Sequence, residues 1–438
     1  VTPLEESLRR ALSAGASSGP AWLADVRGRA AASFAAAGLP HAKLEEWRFT
    51  SLQSLATTAL VPASAHGERA AALLEGAHLP AGEPRLVVVN GRLREELSVR
   101  GNLPEGVVAT SLARAWAERP ELVRDRLGRH ADVERHPFAA LNTALMEDGV
   151  LLHVPADTVV AQPIHLVFLS DAPGAAAISH PRVLVVAGEG ARFTVAEHWL
   201  GGDADLYVAN GVAELQLAEG AQVEHYTLQA QGPRAWHFGA VFTEQGAGAK
   251  LRLHALALGA QLSRTEIHSR LAGEGATIDL TGLSMLGGQQ LSDVHSIVEH
   301  AVPRCETVES YKAILDGHSR GVFAGRIRVL PGAQKTQAYQ QSSSLLLSED
   351  ALIDTMPQLE IFADDVKCGH GGAVGQLDAN ALFYLRSRGL EEADARGLLI
   401  YGFASEMVDR IAPPALRARA RALVAARLPG GARLLEAA

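Results

Sequence analysis

The sequence predicts a mainly β protein whose core is a parallel β-helix, a solenoid of stacked coils, with helices on both sides of it. Three observations carry that expectation. A Gly-Ala phrase recurs at near-constant spacing, which is the signature of coils that stack on one another. The stretch from Arg85 to about Gly375 consists of short alternating or β-branched runs broken by glycine. Helical periodicity dominates the segments before and after it.

The chain opens with Thr2, Pro3 and Glu5 placed as N-cap, first-turn proline and capping-box acid, followed by Leu4, Leu8 and Leu12 at helical spacing. Alanine-rich sequence continues to about residue 80, interrupted at Gly38-Leu39-Pro40 and around Leu44 to Thr50. Residues 1–82 are therefore read as an N-terminal helical domain. Residues 83–375 are read as the β-helix core with a helical lead-in, whose helices fall around 110–127 and 137–146. Within the core the phrase stands at Gly190-Ala191, Gly220-Ala221, Gly248-Ala249 and Gly275-Ala276, at intervals of 30, 28 and 27 residues. Gly332-Ala333 follows 57 residues after Gly275, two periods with a degenerate copy near Pro303 between them. Each period has room for two strands of about five to ten residues with their turns. A sandwich of antiparallel hairpins is the competing arrangement on pattern alone.

After Gly375 helical periodicity returns. Asp378 can cap a helix that carries Leu382, Phe383 and Leu385 and ends at Gly389. A second helix has Leu399, Phe403 and Met407 on one face and must stop before Pro413-Pro414. A basic, alanine-rich helix follows from about Ala415 to Arg427. Residues 376–438 are read as a C-terminal helical domain.

Composition narrows the function. Of 438 residues 47% are hydrophobic and 20% charged, enough apolar sequence for a large core and no tract that would leave a long segment unfolded. A net charge of −9 argues against a general nucleic-acid binder, which needs a concentrated basic face. Apolar runs such as Leu86 to Val89 and Val183 to Val186 fall far short of the roughly 20 residues that cross a bilayer. The opening VTPLEESLRR does not read as a secretory signal, so a cytoplasmic location is expected. Two cysteines, Cys305 and Cys368, are too few for a disulfide framework or a cysteine-only metal site. No GxxxxGK[ST] cradle, GxSxG elbow or dinucleotide fingerprint is present, so nucleotide hydrolysis would belong to a partner and no enzyme is expected. A β-helix carbohydrate-active enzyme is the competing class. It would need a groove of convergent Asp, Arg or Lys residues, and none is evident.

The most informative stretch runs from Ala363 to Gly375. In an extended conformation Cys368 and His370 project from one face, and a thiolate with an imidazole can bind iron, zinc or a nascent cluster. A closed site needs about four ligands, so the rest must come from elsewhere. The plainer alternative is a buried free cysteine beside a surface histidine. Cys305 reads as a small buried hydrophobe. His198, His225, His254, His268, His295 and His300 lack His-x-His spacing and read as structural. Asp364 and Asp365 are adjacent, face opposite sides of a strand, and read as solvated loop acids.

Three segments, PHAKLEEWRFTSL at residues 40–52, DDVKCGHGGAVG at 364–375 and LDANALFYLRSRGLEEADARGLLIYGFASEMVD at 377–409, resemble the SufB/SufD family. The resemblance covers most of the chain. It implies a right-handed parallel β-helix between helical domains and a non-catalytic scaffold role in iron–sulfur cluster assembly. Cys368 and His370 in their DDVKC context resemble the SufD branch. SufB-like chains carry a cluster-assembly cysteine in a Gln-Cys-Asp-Ser context where this chain reads Gln341-Ser342-Ser343-Ser344. The resemblance further implies a heterodimer with a SufB-like paralogue, a SufC ATPase docked on the C-terminal helices, and a transient cluster at the SufB interface near His370 and Cys368. The chain itself would bind no nucleotide. Whether the isolated chain homodimerises, as a SufB-like scaffold would, binds iron alone or handles a flavin in the complex stays open at this point. Gly369 and Gly372 make this segment richer in glycine than is usual in the family.

Overall fold

The computed structural model describes residues 1–15, 19–431 and 433. From Arg182–Ala187 onward successive strands alternate between an 11-stranded and a 10-stranded sheet, so each of these strands pairs with those one coil away and not with its chain neighbour. Pairing is parallel and in register. Val223 sits beside Leu251, Leu251 beside Ile278, Ile278 beside Thr307, Thr307 beside Ala338 and Ala338 beside Cys368. This is the parallel β-helix expected from the repeat. Among the described residues antiparallel pairing is confined to the first coils, where Arg85–Val89 meets Arg92–Leu93 and Val108–Ser111 meets Gly149–Val154. The hairpin sandwich is thereby ruled out.

Alternation builds the core. In Lys250–Ala257 the side chains of Leu251 and Leu253 are buried in the lumen while Lys250 and Arg252 face out. Stacking such coils gives one continuous apolar column from Leu86 to Ala338 that no single coil could close.

The corners explain the repeat. Gly190, Gly220, Gly248 and Gly275 all adopt φ between +61° and +71°, each two residues before a strand. Each donates its N–H to the corresponding corner of the next coil, to the carbonyls of Glu219, Ala247, Glu274 and Pro303. The alanines that follow, 191, 221, 249 and 276, are fully buried, which is why no larger residue stands there. Arg304 (φ +60°) and Cys305 occupy the same places in the fifth copy, the degenerate one. The sixth copy departs from the expected register. Lys335 (φ +63°), not Gly332, takes the corner, donates to Asp365 O and is followed by buried Thr336. The turn after Arg320–Val329 is longer, and Gly332 is used inside it at φ +86°.

Helices cover both outer faces. The capping box forms as expected, with Thr2 Oγ1 accepting from Glu5 N at 3.2 Å and Glu5 Oε2 accepting from Thr2 N at 2.7 Å. Leu4, Leu8, Phe34 and Trp47 share one cluster with Phe138 and with Val208 and Phe238 of the 11-stranded sheet, and Phe138 stacks on Phe238 at 3.7 Å. The lead-in helices are Leu112–Glu118, Pro120–Val123 and Pro137–Leu145. On the 10-stranded sheet, Tyr226, Leu256 and Leu283 are covered by helices Glu392–Val408 and Pro414–Ala425. The buried stripe of the former is Ile400, Ala404 and Met407, one residue round from the expected Leu399, Phe403 and Met407. Ala404 in this stripe packs in one cluster with Tyr226, Leu256 and Leu283 of the sheet. Phe403 is drawn to the margin, where Lys312 Nζ lies 4.2 Å from its ring centre and donates to its carbonyl at 3.1 Å. Helix Ala379–Ser387 is capped by Asp378, which accepts from Asn380 N at 2.8 Å, and buries no residue. Among the described residues no helix is long and apolar enough to cross a membrane.

Candidate functional site

The solenoid is closed at its N-terminal end by hairpins and helices and open at the other. Strands Leu352–Ile361 and Lys367–Gly375 terminate their two sheets, so each leaves one backbone edge without a strand partner. Unpaired backbone edges of this kind can pair with another chain. The surface around them also exposes large apolar side chains: Tyr339, Leu352, Phe362 and Val374 are all more than half exposed.

Cys368 and His370 lie on this last strand. Register places them beside Ala338 and Gln340, both buried lumen residues, so their side chains lie on the lumen face at its mouth. Two residues of strand separate them by roughly 7 Å at Cα. The two differ in surroundings. Cys368 is half-buried against the lumen column, and that burial pushes its thiol above the ordinary value. His370 is exposed, one coil out from Gln340. Gly369 and Gly372 leave space around it: a Cβ on Gly369 would come no closer than 3.8 Å to Tyr339, and one on Gly372 no closer than 3.9 Å to Ser342.

The lumen behind the mouth is polar where a plain β-helix would be filled with aliphatic residues. Gln340 Nε2 donates to Glu309 Oε2 at 2.5 Å, and Ser296 Oγ donates to the other oxygen. Glu309 is buried with these neutral partners, and desolvation pushes its carboxyl above the ordinary range. Room for Gln340 exists because residue 325 is glycine; a Cβ there would lie 2.0 Å from Gln340 Nε2. Deeper in, Glu197 accepts from Trp199 Nε1 at 2.9 Å and lies 3.0 Å from His225 Nε2. His237 sits edge-on to Trp199 at 4.8 Å, and burial pushes it down to about 4.

The remaining candidates sort themselves by position. Cys305 is fully buried at a corner two coils away from the last strand, with Sγ 3.4 Å from Gly273 O, and does not join the mouth. Asp364 accepts from Gln334 Nε2 at 2.6 Å, which holds its carboxyl below the usual value, and Asp365 pairs with Lys335. Both are exposed corner acids. Most of the histidines have neighbours in the structure: His198 meets His165 at 2.9 Å, His254 meets Thr281 at 2.7 Å, His295 meets Asp293 at 2.9 Å and His300 meets Thr307 at 2.7 Å. His268 makes ring contacts but no hydrogen bond to a described residue, and it lies with His136 and Glu266 in a group that the linear sequence conceals. Glu266-x-His268 on one strand face is legible in the sequence; the arrival of His136 from 130 residues away is not.

The mouth thus offers one thiol and one imidazole, about half the donors that an iron–sulfur cluster or a zinc ion requires. Comparison with known proteins gives this arrangement its context. Residues 168–403 match the SUF system FeS cluster assembly SufBD core domain, and residues 81–166 match the SufBD protein N-terminal region. An iron–sulfur cluster assembly SufBD family protein of Synechocystis sp. is 37% identical over 398 residues, 89% of this chain and 87% of its own length. The iron–sulfur cluster assembly protein SufD of Escherichia coli is 30% identical over 90% of this chain and 91% of its own. The chloroplastic protein ABCI7 of Arabidopsis thaliana is 30% identical over 96% and 89% respectively. With a core match over residues 168–403 and relatives at this identity along nine-tenths of the sequence, the chain belongs to the SufB/SufD family of iron–sulfur cluster assembly proteins.

Proposed function

We propose that the chain is the SufD-type, non-catalytic scaffold of a cluster assembly complex, and that its last coil pairs with a SufB-like chain to complete the site where a cluster forms as cargo. The observation that carries this reading is the open solenoid end, where two unpaired strand edges surround an accessible imidazole. His370 supplies one ligand, since neutral imidazole can replace a thiolate on cluster iron. Cys368, whose thiol is pushed up by burial, stands beside it. The partner supplies the missing thiolates and carboxylates. A SufC-type ATPase docks on the C-terminal helices, whose outer face carries exposed Phe383, Tyr384 and Leu398. The energy of nucleotide hydrolysis then comes from that partner.

Co-expression with its SufB-like and SufC-like partners tests the pairing. Val374 is 58% exposed at the mouth, so Val374→Lys should change the stability of the chain by no more than about 0.5 kcal/mol. It places a charge in the expected interface, and recovery of the SufB-like chain by affinity purification should fall about tenfold or more. Undiminished recovery with Val374→Lys and Phe362→Glu combined would remove this end as the interface.

A further inference from the structure

A second donor group lies on the outer face of the 11-stranded sheet, away from the mouth. Glu266 and His268 alternate on strand Leu262–Leu271 and so share its outer face. His136 reaches them from the N-cap of helix Pro137–Leu145. One potential ligand atom from each of the three lies within 4.8 Å of the others. Ligand atoms around a metal with bonds of about 2.0–2.2 Å stand roughly 3–4.4 Å apart, so small side-chain rotations close the set.

We propose that His136, Glu266 and His268 bind one divalent first-row transition-metal ion of the zinc or iron(II) class. Each donor is already oriented. Arg264 Nε and Nη2 donate to Glu266 Oε1 at 2.9 and 2.8 Å, which leaves Oε2 facing His136 Nδ1 at 2.8 Å. This is the kind of outer contact that fixes a carboxylate ligand. His268 is stacked on Phe242, with centroids 5.2 Å apart and planes 20° apart, and packs against the His136 ring at 4.1 Å. No hydrogen bond to a described residue engages either of its ring nitrogens, so a ring nitrogen is free to face the other two donors. The contact between His136 Nδ1 and Glu266 Oε2 is the one a metal would replace.

The surroundings favour a cation. Three carboxylates, Glu45, Glu46 and Glu266, line the pocket against two guanidinium groups, Arg264 and Arg326. Two imidazoles and one carboxylate suit zinc, cobalt(II) or iron(II). Magnesium and calcium prefer an all-oxygen shell, and an iron–sulfur cluster needs thiolates. A metal here would join the start of helix Pro137–Leu145 to the sheet, next to Trp47, whose ring lies under Arg264 at 3.9 Å. The site stands on its own residues and is independent of the role assigned to the mouth.

Titration of the tag-free full chain in a Cys368→Ser, His370→Ala background tests it with cobalt(II), then zinc(II) in competition. One equivalent of cobalt(II) should bind with visible d–d bands and no thiolate charge-transfer band, zinc should displace it, and either metal should raise the melting temperature. His268→Phe keeps the stacking on Phe242 and removes only the nitrogens. It should weaken binding at least about tenfold and abolish the metal-induced rise, with the metal-free melting temperature unchanged. Glu266→Gln should weaken binding likewise, and serves if the first variant misfolds. No stoichiometric uptake by the parent chain, or equal affinity in both variants, would overturn the proposal.

Discussion

His370 and Glu309 show how register converts a linear sequence into a site. His370, Gln340 and Glu309 occupy one lumen row on three successive coils, so the exposed imidazole has a buried carboxyl two positions behind it. Glu309 makes a pH prediction. Its folded value is raised by desolvation above the unfolded value of about 4.3. The native state therefore holds the proton longer, and this group's contribution to stability is complete below the unfolded value and is lost as pH rises through the folded one. Glu309→Gln removes that loss. Thermal melts from pH 5 to 9 should show the variant gaining on the parent as pH rises, with no gain where both carry a neutral side chain; a difference independent of pH would show that the carboxyl is not neutral in the fold. The Cys-x-His spacing of Cys368 and His370 is legible because strands alternate. Glu309 is not, since nothing in the sequence marks one glutamate among many as lumen-facing and unpaired by a cation.

At the level of elements, the corner does the work that the Gly-Ala phrase advertises. Gly275 at φ +71° has nothing within 4 Å of the position a Cβ would take, so Gly275→Ala should cost only the left-handed backbone penalty, about 1–2 kcal/mol. Gly273, two residues earlier, is different: its Cβ would lie 1.9 Å from Ala247 N on the adjoining coil. Gly273→Ala should therefore destabilise the chain several times more, as measured by denaturant unfolding, and equal costs would contradict the stacked-corner account. Four corners are readable from sequence because glycine, which adopts positive φ at least cost, stands at each of them. The fifth and sixth are not, because Arg304 and Lys335 adopt positive φ without glycine and the turn before Lys335 is longer. The helix face at Ile400, Ala404 and Met407 differs from the expected one by one residue for a related reason. Periodicity alone does not separate the adjacent stripes through Leu399 and Phe403 or through Ile400 and Ala404, both of which reach Met407. The C-terminal helices cover Tyr226, Leu256 and Leu283, so the proposed ATPase docking is better probed with Phe383→Ser and Tyr384→Ser than by deletion.

The whole molecule is a column with one sealed end and one open end, and the proposed role in an assembly rests on that asymmetry. Helices protect both outer faces, leaving the mouth as the place where backbone edges, apolar side chains and a metal-competent imidazole coincide. One thiol and one imidazole cannot close a cluster site, so the account requires a second chain. The direct test uses purified three-component complexes, with iron and acid-labile sulfide measured per complex after cluster assembly. His370 is exposed and outside the core, so His370→Ala should leave folding and complex recovery nearly unchanged while cluster content falls sharply, and Cys305→Ser should have far less effect on cluster content. A His370→Ala complex that assembles normally and carries a full complement of iron and sulfide would contradict the account.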